Sequence, residues 1–174
     1  MWQARFCNQN VRVASLAPTH VPGPVPQRSL HVAPDGRLGV DASYVVASDA
    51  HTFVGAPVAH NGRGLTLWRL DGAPRLATVR SGIQPNGDMT EPGVVRAYDC
   101  AGGRLELTLI PKSTSDVTLE LDGKVVQTAH IGGRDFWNGT VFAPAAPSPR
   151  ACTFRIVGQS LLGSTRVAFV PSGS

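Results

Sequence analysis

Residues 104–131 read RLELTLIPKSTSDVTLELDGKVVQTAHI, and the spacing of the leucines decides the fold class. Leu105, Leu107 and Leu109 alternate with Arg104, Glu106 and Thr108, and Val117, Leu119 and Leu121 keep the same rhythm around Thr118 and Glu120. A period of two puts every second side chain on one face of a pleat, whereas a helix needs apolar residues three and four apart. Asp122-Gly123 then turns VTLEL back onto KVVQTAHI, because this pair tolerates the positive φ of a tight turn whose twist matches the strands. The stretch predicts a strand followed by a β-hairpin.

The same grammar extends in both directions. Asp35-Gly36, Asn61-Gly62, Asp71-Gly72 and Asn86-Gly87 mark further turns. Between them lie SYVVA (43–47), HTFVGAPVA (51–59), LTLWRL (65–70), RLATV (75–79), VVRAY (94–98), GTVFA (139–143), CTFRIV (152–157) and RVAFV (166–170), each with strand character. LTLWRL-DG-APRLATV predicts a second hairpin, with Leu65 and Leu67 on the apolar face, Trp68 on the polar face, and Pro74 moving the return strand towards an edge. GQSLLGS (158–164) is the one helical candidate, a short turn bracketed by glycines. Many short strands at regular spacing predict an all-β, antiparallel β-sandwich of jelly-roll type. It is expected over residues 30–174 as one domain. Residues 1–29 are expected to form an extended lead-in, since Pro18, Pro22, Pro24 and Pro26 cannot donate to a ladder.

Composition narrows the function. At 174 residues, with 42% hydrophobic residues, the chain is long enough for a real core. The net charge of +4 is not clustered: Arg63, Arg69, Arg75, Arg80, Arg96 and Arg104 fall singly in strand-like segments, so no phosphate-tracking stripe for nucleic acid is predicted. No apolar run reaches the ~20 residues that span a bilayer, and MWQARFCNQNVRVASLAPTH has no continuous apolar core of a signal peptide. Of the three cysteines, Cys100 closes one strand and Cys152 opens another, which suits a bridge between neighbouring strand ends; two buried free thiols are the other reading. A bridge implies an oxidising compartment and leaves Cys7 over.

Catalytic patterns are missing. Ser160 lacks the GxSxG elbow, no Gly-rich phosphate cradle occurs, and His20, His31, His51, His60 and His130 form no metal-binding pair. The sequence therefore predicts no enzyme in its own right. In GIQPNGDMTEPG (82–93), Asp88 and Glu91 share a loop that predicts either a solvated turn or a structural calcium ion held by hard oxygen ligands. In RDFWNGT (134–140), Trp137 beside Asp135 and Asn138 has the chemistry of a sugar platform, and packing in the core is the alternative for the same ring. Trp68 joins these as a candidate ligand-binding residue.

VDASYVVASDAHTF (40–53), GLTLWRLDGAPRLATVRSGIQPNGD (64–88), YDCAGGRLELTLI (98–110), FWNGTV (136–141) and CTFRIVGQSLLGSTRVAFV (152–170) follow in an order that resembles the extracytoplasmic C-terminal β-sandwich region of actinobacterial multi-spanning membrane glycosyltransferases. The resemblance covers roughly residues 38–170. Similar sequences carry an aromatic after the isoleucine of the GIxPxGD loop, where this chain has Gln84. The resemblance implies a non-catalytic accessory module outside the membrane, contacting polysaccharide, with a membrane glycosyltransferase as partner. The alternative is a structural or protein-docking domain of such an enzyme.

Overall fold

A computed structural model of the chain describes residues 14–15, 28–29 and 30–173, apart from 90–91 and 160–161. Most of the lead-in (1–29), with Cys7, and the Glu91 half of the calcium expectation lie outside the described residues. Among the described residues fourteen strands follow in order: β1 Ala14–Ser15, β2 Arg28–Ser29, β3 Tyr44–Ser48, β4 His51–Phe53, β5 Ala56–His60, β6 Leu65–Arg69, β7 Leu76–Ser81, β8 Gly93–Ala97, β9 Arg104–Pro111, β10 Ser115–Leu121, β11 Lys124–Ile131, β12 Trp137–Phe142, β13 Cys152–Gly158 and β14 Leu162–Val170. No helix occurs among the described residues. The two-residue β1 and β2 pair in parallel, and every other pairing is antiparallel.

The layers are unequal. One sheet has six strands in the order β11-β10-β13-β8-β7-β4, two sheets of three are β12-β9-β14 and β3-β6-β5, and β1 and β2 form a pair of their own. The leucine ladder explains the main core. Leu105, Leu107 and Leu109 stand opposite Val141, Gly139 and Trp137 on one side and Phe169, Val167 and Ser164 on the other. All three leucines are buried, and Val117, Leu119, Leu121, Phe154, Ile156 and Val95 of the six-stranded sheet share their cluster. Alternation thus predicted the inner faces of β9 and β10 correctly. A second, smaller cluster of Leu38, Phe53, Leu70, Leu76 and Tyr98 draws in Val45, Ala47 and Trp68 of the β3-β6-β5 sheet.

Asp122 and Gly123 both adopt positive φ, and Leu121 pairs with Lys124, as a tight primed turn requires. Cys100, just after β8, is bonded to Cys152, the first residue of β13, with their Cα atoms 5.9 Å apart.

Four expectations need correcting. HTFVGAPVA is not one strand: it breaks at Val54-Gly55 into β4 of the large sheet and β5 of a small one. Gly55 takes φ 152°, and a Cβ there would run into the Arg69 carbonyl, so only glycine lets the chain cross between sheets at this point. The second hairpin does not form either, since β6 pairs with β3 and β5 while β7 pairs with β4 and β8. Asp71-Gly72 begins a crossing between sheets; Pro74 is fully buried, its carbonyl accepts the Leu38 N–H, and β7 is an interior strand.

The phase of LTLWRL is reversed as well. Thr66 and Leu70 are buried and Trp68 half-buried, while Leu65 is exposed. Both phases of this segment carry a large apolar residue, so alternation alone does not choose between them, and the inner face goes to the bulkier indole. Finally, Leu162-Gly163-Ser164 begin β14, so no helical turn includes them.

Candidate functional site

Polar residues that point to the inner side of these sheets gather in one place. In register, Arg80 of β7 stands opposite Val95, whose side chain belongs to the main core. Arg80 therefore projects to the inner side of the large sheet, where its guanidinium donates to the Asp49 carbonyl. Thr66 of β6 also points inward and donates its hydroxyl to Asp49 Oδ1 at 2.8 Å. His60 of β5 brings Nδ1 to 3.3 Å from the same carboxylate oxygen and 3.1 Å from Thr66 Oγ1. One residue after the β3–β4 turn, His51 Nδ1 is 2.8 Å from Ser48 Oγ.

Together these residues line an open cleft of about 810 Å³. One side is the inner face of the β3-β6-β5 sheet with Thr66 and Trp68, beside Ser48 at the end of β3, and the other is strand β14 with Ser164, Arg166 and Val167. His51 and Arg80 supply the large sheet's contribution, and the 83–87 loop adds Ile83, Gln84 and Asn86. That loop is tied to β14, because the Ser164 N–H and hydroxyl both donate to the Gly87 carbonyl at 2.9 and 3.0 Å. A smaller recess of about 370 Å³ continues past the shared residues Asn86, Ser164 and Thr165 to Asp88, Lys112 and Arg134.

Trp68 packs against Phe53, with ring centroids 6.2 Å apart. Its indole Nε1 is buried and has no hydrogen-bond partner among the described residues. An orphaned donor of this kind costs roughly 1–3 kcal/mol.

Burial lowers the pKa of His51 from 6.5, opposed in part by a backbone hydrogen bond with Ser48. The folded chain thus binds this proton less readily than the unfolded one. Its effect on stability is absent above the unfolded value and grows unfavourable as the pH falls from there through the lower folded value. Urea unfolding followed from about pH 7.5 down to about pH 5 should show a stability loss that His51→Gln reduces. An identical pH profile for the variant would overturn this role.

The sequence-derived candidates do not converge. Trp137 lies on the inner face of β12, its ring over Gly139, where a Cβ would collide with it, and it packs against the main core. The ring is therefore placed as the packing alternative, not as an exposed platform. Asn138, on the opposite face, accepts the Thr108 hydroxyl at 2.8 Å, and Asp135 sits exposed beside Gly132. Only Trp68 of the four lines the cleft. Asp88 is held by the Asn86 side-chain amide at 3.0 Å and lies 3.9 Å from Lys112 Nζ. Among the described residues, no three acid, imidazole or thiol side chains stand close enough to share a metal ion.

Ser48, Asp49, His51, His60, Thr66, Arg80 and Arg166 were not singled out from the sequence as site residues. The signal that marks Thr66 and Arg80 is a polar residue in an inward phase, and it needs the sheet register to be seen.

No protein-family model and no curated protein matches the sequence. Among solved structures, a family 6 carbohydrate-binding module superposes with TM-score 0.31 and 11% identity, over 74% of this chain and 87% of that chain. A family 29 carbohydrate-binding module gives TM-score 0.24 and 16% identity, over 71% of this chain and 93% of that one. Both are partial backbone likenesses and carry no argument about ligands.

Proposed function

We propose that this chain is a non-catalytic extracytoplasmic module that recognises cell-envelope polysaccharide, serving as an accessory domain to a membrane glycosyltransferase. The observation that carries the reading is the cleft beside Trp68. Hydroxyl, imidazole, amide and guanidinium groups from Thr66, His51, His60, Gln84, Asn86 and Arg80 converge on one open surface. Hydrogen-bond donors and acceptors packed this densely next to an indole suit a polyhydroxylated chain, whose rings offer apolar faces and hydroxyl edges. The Cys100–Cys152 bridge supports an oxidising compartment. The glycosyltransferase partner rests on the sequence resemblance.

Titration with arabinan, galactan and mannan should shift the tryptophan emission in a saturable way. Trp68→Phe should remove that shift and Trp137→Phe should keep it. A flat response from folded protein across the panel overturns the reading. A shift that instead disappears with Trp137→Phe moves the site to the 134–140 loop.

A second reading, protein docking, rests on the outer face of β3-β6-β5. There Tyr44, Val46 and Leu65 are exposed at 57%, 51% and 38%, and neighbouring Val58 at 53%. A contiguous exposed apolar face of this kind is a mark of interaction surfaces. Self-association that Val46→Glu abolishes, with no glycan response, would favour it.

A further inference from the structure

The cleft holds a half-buried cation whose guanidinium is bonded to no carboxylate among the described residues. Arg80 is half-buried on the inner side of an interior strand, and the only hydrogen bond of its guanidinium among the described residues is to the backbone carbonyl of Asp49. Among the described residues the carboxylate that lines the cleft with it is Asp49, which is engaged by the Thr66 hydroxyl and His60. A guanidinium taken partly out of water, with planar donors left over, favours an anion that accepts two parallel N–H bonds.

The groove beyond repeats the sign. Arg166 sits on the rim, bonded to Glu106 at 2.6 Å but still 60% exposed. Past Asn86, Ser164 and Thr165, the smaller recess presents Lys112 and Arg134. Arg134 is held at φ 69°, its N–H donates to the Pro111 carbonyl, and its guanidinium has no carboxylate partner among the described residues. Among the described residues the carboxylates lining the two recesses are Asp49, which accepts from Thr66, and Asp88, which lies 3.9 Å from Lys112, so Arg80 and Arg134 are the guanidinium groups there bonded to no carboxylate.

We infer that the two recesses form one binding groove for an acidic polysaccharide, with Arg80 receiving an anionic sugar substituent and Lys112 and Arg134 a second one further along the chain. The inference rests on the polysaccharide reading above and names its ligand class. Neutral sugar hydroxyls would accept from Arg80 without supplying a negative charge, whereas a carboxylate or phosphate would add charge-assisted hydrogen bonds.

Calorimetric titration of the full chain compares polygalacturonate, the same polymer after carboxyl reduction, and a phosphodiester-linked mannan. The acidic polymer should bind roughly tenfold or more tightly than its reduced form, as one charge-assisted contact implies. Arg80→Gln should erase that preference, and Lys112→Ala with Arg134→Ala should reduce it even if Arg80→Gln does not fold. Arg155→Gln, whose side chain lies on the outer face of β13 beside Glu120, should change nothing. A preference shared by the phosphodiester polymer assigns the anion more broadly, and one confined to polygalacturonate assigns a uronate. Equal affinity for the charged and reduced polymers, or a preference that survives both sets of groove variants, overturns the inference and leaves the polysaccharide reading intact. No binding of any polymer overturns both.

Discussion

Phe154→Ala is expected to lower the free energy of unfolding by about 4 kcal/mol, the upper part of the range for deleting a large buried ring. Phe154 is 1% exposed on β13, in the middle of the large sheet, with Val95 and Leu121 opposite it in register. Across the layers its ring meets Phe169 of β14, with centroids 6.0 Å apart and a 43° tilt, a geometry that adds ~0.5–1.5 kcal/mol beyond area alone. The loss is large because the strands on both sides are hydrogen-bonded into ladders and cannot close the gap. Phe142 makes the contrast: on the outer face of β12 and 69% exposed, its alanine variant should stay within about 0.5 kcal/mol of the parent. Urea unfolding of the three proteins checks both values. A Phe154→Ala loss below about 1 kcal/mol would mean that the two layers do not meet at this ring.

The same core shows what can be read from one sequence. The period of two at Leu105–Leu109 and Val117–Leu121 survives intact, because each strand has one apolar and one polar face and only one register buries the leucines. Asp122-Gly123 was legible for a local reason, since few residue pairs accept positive φ twice. Asp71-Gly72 carries the same letters and opens a crossing instead. What separates them is whether the following strand finds its partner next door, and that is decided by Pro74 being buried among segments distant in sequence. Gly55 and Trp68 failed for related reasons: a sheet change and a choice between two apolar phases depend on the opposing layer, not on the strand itself.

The cleft was illegible because no segment contains it. It is assembled from the β3–β4 turn, the ends of β5, β6 and β7, the 83–87 loop and the start of β14. A polar residue on an inward phase is the one trace left in each strand, and Thr66 and Arg80 both carry it. Dividing the second layer into two three-stranded sheets is what makes room for them: a single continuous sheet opposite β4 and β7 would have demanded apolar side chains at these positions.

Removing the bridge with Cys100→Ala and Cys152→Ala together is expected to cost about 4 kcal/mol, as the chain-entropy model gives for a sequence separation of 52 residues. That corresponds to a fall in Tm of roughly 10 °C for a domain of this size. The bridge joins β8 and β13, which are already neighbours, so the folded ladder needs it little; its effect falls chiefly on the unfolded chain, whose loop it closes. Both sulfurs belong to residues with no exposed surface, packed in the same cluster as Phe154. Reductant should therefore act on the native protein only as fast as the chain opens, and thiol labelling under native conditions should report none of this pair. The double variant and the reduced parent should unfold at similar denaturant concentrations, since each lacks the same loop constraint. If the variant instead matches the oxidised parent, the bridge contributes nothing to stability, and the case for an oxidising compartment loses its thermodynamic ground.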